Sequence, residues 1–283
     1  MTTLRPAAAR RTQLFLPADR PERAAKAATS GADAVILDLE DALPAEARPG
    51  ARDGLERLVA DVRAAASVPV LVRVNSDDLA DDVAAAVAAR ADGVLVPKVE
   101  SAGRVREVDD LLGGADLEVQ LLVETPRGLL AAAEIAAAGR RSTAMVLGVE
   151  DLAADLEVDP TSPYTDLRWA HATVLLAARA AGLTPYGLLG SLTNFRDLAA
   201  LDEDARASRG FGYVGALCIH PAQVPVLNEA FSPTAAELDR ARAVLDAMAE
   251  AERSGLAAAQ LDGRMIDAPV VARARRLLER GES

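Results

Sequence analysis

Val70-Leu71-Val72-Arg73-Val74, Asp82-Val83-Ala84-Ala85-Ala86-Val87-Ala88-Ala89 and Gly93-Val94-Leu95-Val96 are three successive pieces of one pattern. The outer two are short, continuous apolar runs rich in valine, the composition of a strand buried on both faces. The middle one is built on alanine, which carries the smallest helix penalty of any residue. The unit therefore reads as strand, helix, parallel strand. Working outward, the same alternation recurs at Gln13–Leu16, Ala34–Leu37, Val119–Val123, Ala144–Leu147, Thr184–Leu188 and Ala216–Ile219, each run with a helical pattern after it. Eight strand–helix repeats predict an α/β fold of the (β/α)8 barrel, or TIM barrel, type. A doubly wound open sheet is the weaker alternative, because Leu16-Pro17-Ala18-Asp19-Arg20-Pro21 follows the first strand where a glycine-rich dinucleotide loop would be expected. Pro233-Thr234 then opens a long helix to about Ser254, and a last helix begins at Pro269. The expected organisation is a barrel over residues 1–232 and a helical extension over 233–283.

With 51% hydrophobic residues in 283, the chain can bury a sizeable core and is not of the disordered class. Its formal net charge of −12 repels phosphate backbones, which argues against a nucleic-acid partner. The lone Cys218 cannot form an internal disulfide and points to a reducing compartment. The Arg- and Ala-rich start lacks an apolar signal core, and no uncharged apolar run is long enough to span a bilayer. A cytoplasmic protein without membrane association is expected.

In a barrel of this type the carboxyl ends of the strands face substrate. Those ends are polar here: Asp38-Leu39-Glu40-Asp41, Arg73 and Asn75, Lys98 and Glu100, Glu124, Glu150-Asp151, and His220. Carboxylates converging on one mouth raise one another's pKa unless a cation sits among them. An all-oxygen set without paired Cys or His disfavours zinc and suits Mg²⁺, with Mn²⁺ as a substitute. Glu124 and Asp151 are the better-placed pair of candidate ligands. Glu150 would point the other way if the backbone were still extended there. Asp41, Glu100 and Glu150 serve equally well as first-turn helix residues favoured by the helix dipole.

Arg73 emerges from an apolar strand, suited to clamp a carboxylate or stabilise an enolate oxygen, or to pair internally with Asp38 or Glu40. Lys98 is either a Schiff-base lysine or an ion-pair partner of a strand-end acid, the second being favoured among so many acids. Cys218 belongs to the core by its strand position, His220 to a hydrogen-bonded structural role, and His171 to the surface or packing of a helix. Ser191 and Ser142 stand beside no recognisable base, and no Gly-x-Ser-x-Gly elbow occurs.

Six segments in this order resemble the citrate lyase beta subunit and its stand-alone relatives, the malyl-CoA and citramalyl-CoA lyases. They are Leu14-Phe15-Leu16-Pro17-Ala18-Asp19-Arg20-Pro21-Glu22-Arg23, Gly31 to Ala42, Val72-Arg73-Val74-Asn75, Val96-Pro97-Lys98-Val99-Glu100, Glu124-Thr125-Pro126-Arg127-Gly128 and Ile219-His220-Pro221-Ala222-Gln223. The resemblance implies a barrel of the phosphoenolpyruvate/pyruvate-binding type with a C-terminal helical lid, assembled as a homotrimer or hexamer. It implies an Mg²⁺-dependent carbon–carbon lyase that cleaves or forms a 3-hydroxyacyl-CoA thioester, with a CoA thioester and a small 2-oxo acid as its partners. By the same resemblance Glu124 and Asp151 match metal carboxylates, Glu124 and Arg73 bind substrate, and Arg73 meets the enolate oxygens. Asp267, in Gly263-Arg264-Met265-Ile266-Asp267-Ala268-Pro269, matches a lid aspartate that enters a neighbouring subunit's site as acid or base.

The stretch around Arg20 and Arg23 matches the region that meets part of the CoA tail. Ala18, Ala216 and the segment from Gly187 to Asp197 depart from the commoner pattern of these relatives. Two other activities fit the same motifs. One is a CoA-independent Mg²⁺ aldolase acting on 4-hydroxy-2-oxo acids; the other is a beta subunit that works only inside a multisubunit lyase with an acyl-carrier protein. A thioesterase outcome stays open beside the lyase.

Overall fold

The computed structural model describes residues 6–159, 166–193 and 195–281. Eight strands, β1 (Thr12–Pro17), β2 (Ala34–Asp38), β3 (Val70–Arg73), β4 (Gly93–Val96), β5 (Glu118–Val123), β6 (Ser142–Leu147), β7 (Thr184–Tyr186) and β8 (Ala216–Cys218), form one sheet in the order β7-β6-β5-β4-β3-β2-β1-β8. Every pairing is parallel. The two ends of the sheet meet at a parallel bridge between Tyr186 and Gly215, so the sheet curls into the expected barrel. Gly215 is required there by space: a Cβ would lie 2.3 Å from the Arg11 carbonyl oxygen.

Alternation along each strand sorts the side chains into two cores. Ala34, Ile36, Leu71, Leu95, Leu122, Ala144, Val146, Tyr186 and Leu217 pack inside the barrel. Their neighbours Val35, Leu37, Val70, Val72, Val94, Val96, Val119 and Val123 belong to the larger core that includes the surrounding helices. Strands buried on both faces explain why these runs are continuously apolar rather than alternating. Near the amino ends of the strands, Gln13 and Gln120 satisfy each other within the barrel at 3.0 and 3.1 Å. Arg10 pairs there with Glu118.

The chain divides into two compact units, Met1–Phe231 and Ser232–Ser283. The second unit begins with a helix, Ala235–Arg253, whose start is fixed by a capping box: the Glu237 N–H donates to Thr234 Oγ1 at 3.2 Å and the Thr234 N–H to Glu237 Oε2 at 2.8 Å. An antiparallel hairpin, β9 (Ala259–Leu261) and β10 (Arg264–Ile266), follows, and a helix over Ala268–Gly281 ends the described chain. Ala241, Val244, Ile266, Val271 and Ala274 form its small core. Among the described residues no helix is long and apolar enough to cross a membrane.

Candidate active site

The same alternation that builds the inner core delivers the site. Asp38 follows Ala34 and Ile36 on the inner face of β2, and Arg73 follows Leu71 on β3. One residue past β5 and β6, Glu124 follows Leu122 and Gly148 follows Val146. All four therefore gather at the carboxyl ends of the strands. They line a cavity of about 420 Å³ together with Phe15, Asp41, Glu150 and Asp151 and an apolar wall that includes Leu122, Val146, Leu217 and Ile219.

Arg73 is held on nearly every side. Its Nε and Nη2 donate to the two oxygens of Asp38 at 2.7 and 2.6 Å, and its Nη1 lies 2.9 Å from Glu40 Oε2 and 3.0 Å from Asp41 Oδ2. The guanidinium carbon sits 4.8 Å from the centroid of the Phe15 ring. Asp38 and Glu40 are almost fully buried. Burial tends to push the Arg73 pKa down, but the hydrogen bonds and charge of Asp38 outweigh it, with Glu40 and Asp41, so the net shift is upward. Desolvation likewise pushes Glu40 up against the pull of Arg73. Asp41, also partly desolvated, is drawn below its ordinary value by Arg73 and Lys98. The internal pairing anticipated for Arg73 is present with both acids and a third.

Lys98 Nζ donates to Glu40 Oε1 at 2.9 Å and lies 3.6 Å from Asp41 Oδ1. Desolvation works against its charge, yet the hydrogen bond and charge of Glu40 hold its pKa above the ordinary lysine value. An ammonium held so firmly is a poor imine former, and the ion-pair reading of this lysine is the one the geometry favours.

Glu124 differs from the β2 acids. It is 2% exposed, one oxygen accepts the Lys98 main-chain N–H at 2.8 Å, and no ion pair reaches it among the described residues. Burial first, then the charges of Asp151 and Glu40, push its pKa up to about 8. Gly148 opens the space beside it, since a Cβ there would lie 2.5 Å from Glu124 Oε2. Asp151 stands in the first turn of the helix Val149–Asp155 and lines the same cavity.

The backbone is not extended at Glu150, so the condition under which its side chain would point away is not met. Gly148 caps a helix that begins at Val149, so successive side chains diverge by about 100° rather than 180°, and Glu150 and Asp151 both face the cavity. Glu150 is also the partner that Ser191 was expected to lack, accepting its hydroxyl proton. Ser191 in turn lies 2.6 Å from Thr193 Oγ1. The sequence carried no signal for this contact, which joins a helix start to a loop residue 41 positions away. Asn194, in the atypical seventh-strand segment, lies outside the described residues.

Of the remaining candidates, Cys218, His220 and His171 take packing and hydrogen-bonded positions. Cys218 is fully buried. His220 Nδ1 accepts the Ala222 N–H at 3.1 Å, and its ring stacks on Phe195 at 4.9 Å. His171 is buried against Tyr213, its Nδ1 2.8 Å from the phenol oxygen, and desolvation lowers its pKa to about 4. Arg20 and Arg23 are solvent-facing near the end of β1. Asp267 belongs to the second unit, where its carboxylate accepts the Val270 N–H at 3.2 Å at the start of the last helix.

The donors at the cavity are all oxygen. Among the described residues no three His, Cys, Asp or Glu side chains form a complete metal cage, whereas two carboxylates with positions left for water and substrate are what Mg²⁺ commonly uses. A parallel barrel presenting carboxylates and a fixed arginine at the carboxyl ends of its strands defines an enzyme of the (β/α)8 class. Residues 11–221 match the profile of the HpcH/HpaI aldolase/citrate lyase family, and the chain belongs to that family.

Over 283 aligned residues it is 38% identical to a citrate lyase subunit beta-like protein of Deinococcus radiodurans, covering 96% of this chain and 98% of that one. It is equally identical, at 38% over 280 residues, to a (3S)-malyl-CoA thioesterase of Cereibacter sphaeroides, covering 96% and 95%. In three dimensions it is similar to the protein CitE from Mycobacterium tuberculosis in complex with magnesium, acetoacetate and coenzyme A. That match has a TM-score of 0.80 at 37% identity and covers 98% of this chain and 99% of that one.

Proposed function

We propose that the protein is an Mg²⁺-dependent lyase that cleaves a 3-hydroxyacyl-CoA thioester of the malyl, citramalyl or citryl type into a 2-oxo acid and acetyl-CoA or a homologue. The observation that carries this reading is the contrast at the cavity rim. Asp38, Glu40 and Asp41 are matched by Arg73 and Lys98, while Glu124 and Asp151 have no cationic side chain within ion-pair distance among the described residues. A buried carboxyl lifted to about 8 by its surroundings fits a dication, and the oxygen donors fit magnesium. The related CitE structure contains magnesium and coenzyme A.

When held by Glu124 and Asp151, the metal would supply Lewis-acid polarisation of the substrate's carbinol hydroxyl and adjacent carboxylate. Arg73 is held in place by hydrogen bonds to Asp38 on one edge and Asp41 on the other, with Glu40 ion-paired beside it, and it would face the oxyanion that develops as the carbon–carbon bond breaks. The apolar wall of Phe15, Leu122, Val146 and Leu217 limits water around that charge. Asp267 would protonate the enolate carbon from a neighbouring subunit, and would act as base in the synthetic direction. That role requires a homo-oligomer, a trimer or a hexamer, with the segment from Ser232 onward acting as a lid.

The thioesterase named among the relatives supports a second outcome, hydrolysis of the thioester after or instead of cleavage. Incubation with malyl-, citramalyl- and citryl-CoA in Mg²⁺, with separate assays for free CoA and 2-oxo acid, distinguishes them. Release of 2-oxo acid that stops on chelation is expected; free CoA without 2-oxo acid would establish the hydrolase. No turnover of any thioester, with cleavage of a free 4-hydroxy-2-oxo acid, would overturn the CoA-ester reading.

A further inference from the structure

Lys98 holds a left-handed backbone, φ +49°, a conformation that is strained for a residue with a Cβ and that tends to persist only where the surroundings enforce it. Continued alternation past Val94 and Val96 would have sent its side chain outward among the helices. Instead the chain turns. The flanking peptides are fixed: Ser76 Oγ donates to the Pro97 carbonyl at 3.4 Å, and the Val99 N–H donates to the Leu122 carbonyl at 3.1 Å. Between them the Lys98 N–H reaches Glu124 Oε1 at 2.8 Å while its ammonium reaches Glu40 Oε1 at 2.9 Å. One residue thus joins Glu124 to the cluster of acids around Arg73.

We propose that Lys98 is a positioning residue for the Glu124 metal site: the Glu40 contact holds its backbone left-handed, and that backbone aims the N–H that orients Glu124. This rests on the reading of Glu124 and Asp151 as a metal pair. Charge alone predicts the opposite of the proposal. An ammonium near a cation site weakens it, so removing the ammonium should tighten metal binding if position did not matter. Under the proposal Lys98→Met frees the backbone to relax to negative φ, Glu124 loses its orienting donor, and metal binds more weakly. Lys98→Gly loses the same ammonium but enters the left-handed region without strain, so it keeps the donor.

The test is Mn²⁺ titration of the substrate-free protein, followed by electron paramagnetic resonance or calorimetry, with melting temperature measured in parallel. Lys98→Met should weaken Mn²⁺ binding by about 10–100-fold, the usual effect of removing a group that orients a metal ligand, and Lys98→Gly should stay within about 5-fold of wild type. A merely structural lysine would give the reverse order, since glycine is ordinarily the more disruptive replacement. Unchanged or tighter binding in Lys98→Met, or equal loss in both variants, overturns the proposal. Glu124→Gln in the same titration separates the two levels of the argument. If it leaves Mn²⁺ affinity intact, the metal assignment itself fails; if it abolishes binding while Lys98→Met does not weaken it, only the role of Lys98 fails.

Discussion

Gly148→Ala isolates the fit of Glu124 into its niche. The glycine has φ −88° and ψ 99°, a conformation open to alanine, so it is present for space rather than for backbone freedom. A Cβ added there would lie 2.5 Å from Glu124 Oε2 and 2.6 Å from Glu124 Cβ. Ordinary contact requires about 3.5 Å, so the two chains must part by roughly 1 Å. The Lys98 N–H fixes the opposite oxygen of Glu124 at 2.8 Å, which leaves little freedom for the carboxylate to yield.

Overpacking of this kind costs about 1–3 kcal/mol. The effect on metal binding should be the more specific one, because ligand positions must hold to about 0.2 Å and Mg²⁺ tolerates little departure from its octahedron. Mn²⁺ affinity is expected to fall about 10–100-fold in a protein that still melts cooperatively. Titration of Mn²⁺ with parallel thermal melts measures both quantities. Wild-type affinity and an unchanged melting temperature would refute the placement of Glu124 beside Gly148.

Three further outcomes follow from the same geometry. In the metal-free protein Glu124 keeps its proton to about pH 8, against an ordinary value of 4.5, because burial and then the charges of Asp151 and Glu40 disfavour ionisation. The folded state therefore binds more protons than the unfolded chain between those values, and the stability of wild type relative to Glu124→Gln should fall as pH rises from 5 to 8. Saturating Mg²⁺ should reverse that trend, and a flat difference in melting temperature without metal would contradict it. Arg73→Met leaves Asp38 and Glu40 buried without their main cation and should cost about 3–5 kcal/mol in urea unfolding. Arg73→Lys should be milder in stability yet lose about 100-fold in kcat; wild-type turnover would remove Arg73 from the chemistry. Asp267→Asn retains a good helix cap, so about 10²–10⁴-fold loss in kcat with unchanged Mn²⁺ affinity is expected, and a normal rate would exclude it as the proton donor.

The fold was legible because each strand is apolar on both faces. Gly93–Val96 occupies its expected span, and the other strands begin or end within two residues of theirs. Arg73 and Glu124 were legible for a related reason, as single charged groups closing long apolar runs. What escaped was backbone direction where the strands end. Glu150 was set facing away only on condition of an extended backbone, and hydropathy does not show that Gly148 turns the chain into a helix at once. Lys98 was weighed only for its ammonium, although its main-chain N–H is what meets Glu124. The hairpin of β9 and β10 did carry a signal: Asp262-Gly263, with φ of 50° and 74°, is the pair favoured in a two-residue hairpin turn. Its strands are only three residues long, too short for alternation to register.

The acids at the barrel mouth behave as two sets because the cations are unevenly placed. β2 contributes Asp38 and the following Glu40 and Asp41, and the adjacent β3 together with the turn after β4 supplies Arg73 and Lys98 to meet them. β5 and β6 lead into Glu124 and Asp151 with apolar neighbours on the inner face. Among the described residues only one main-chain donor faces Glu124, and its pKa is raised by burial and then by the charges of Asp151 and Glu40. Leu122 and Val146, which precede Glu124 and Gly148 on the inner face, belong to the apolar core of the barrel. Leaving those positions apolar keeps the pKa of Glu124 high and concentrates the demand for positive charge at one point, beside an arginine too tightly held to supply it. On the proposed reading a divalent ion would answer that demand while leaving the Arg73 ion-pair cluster intact.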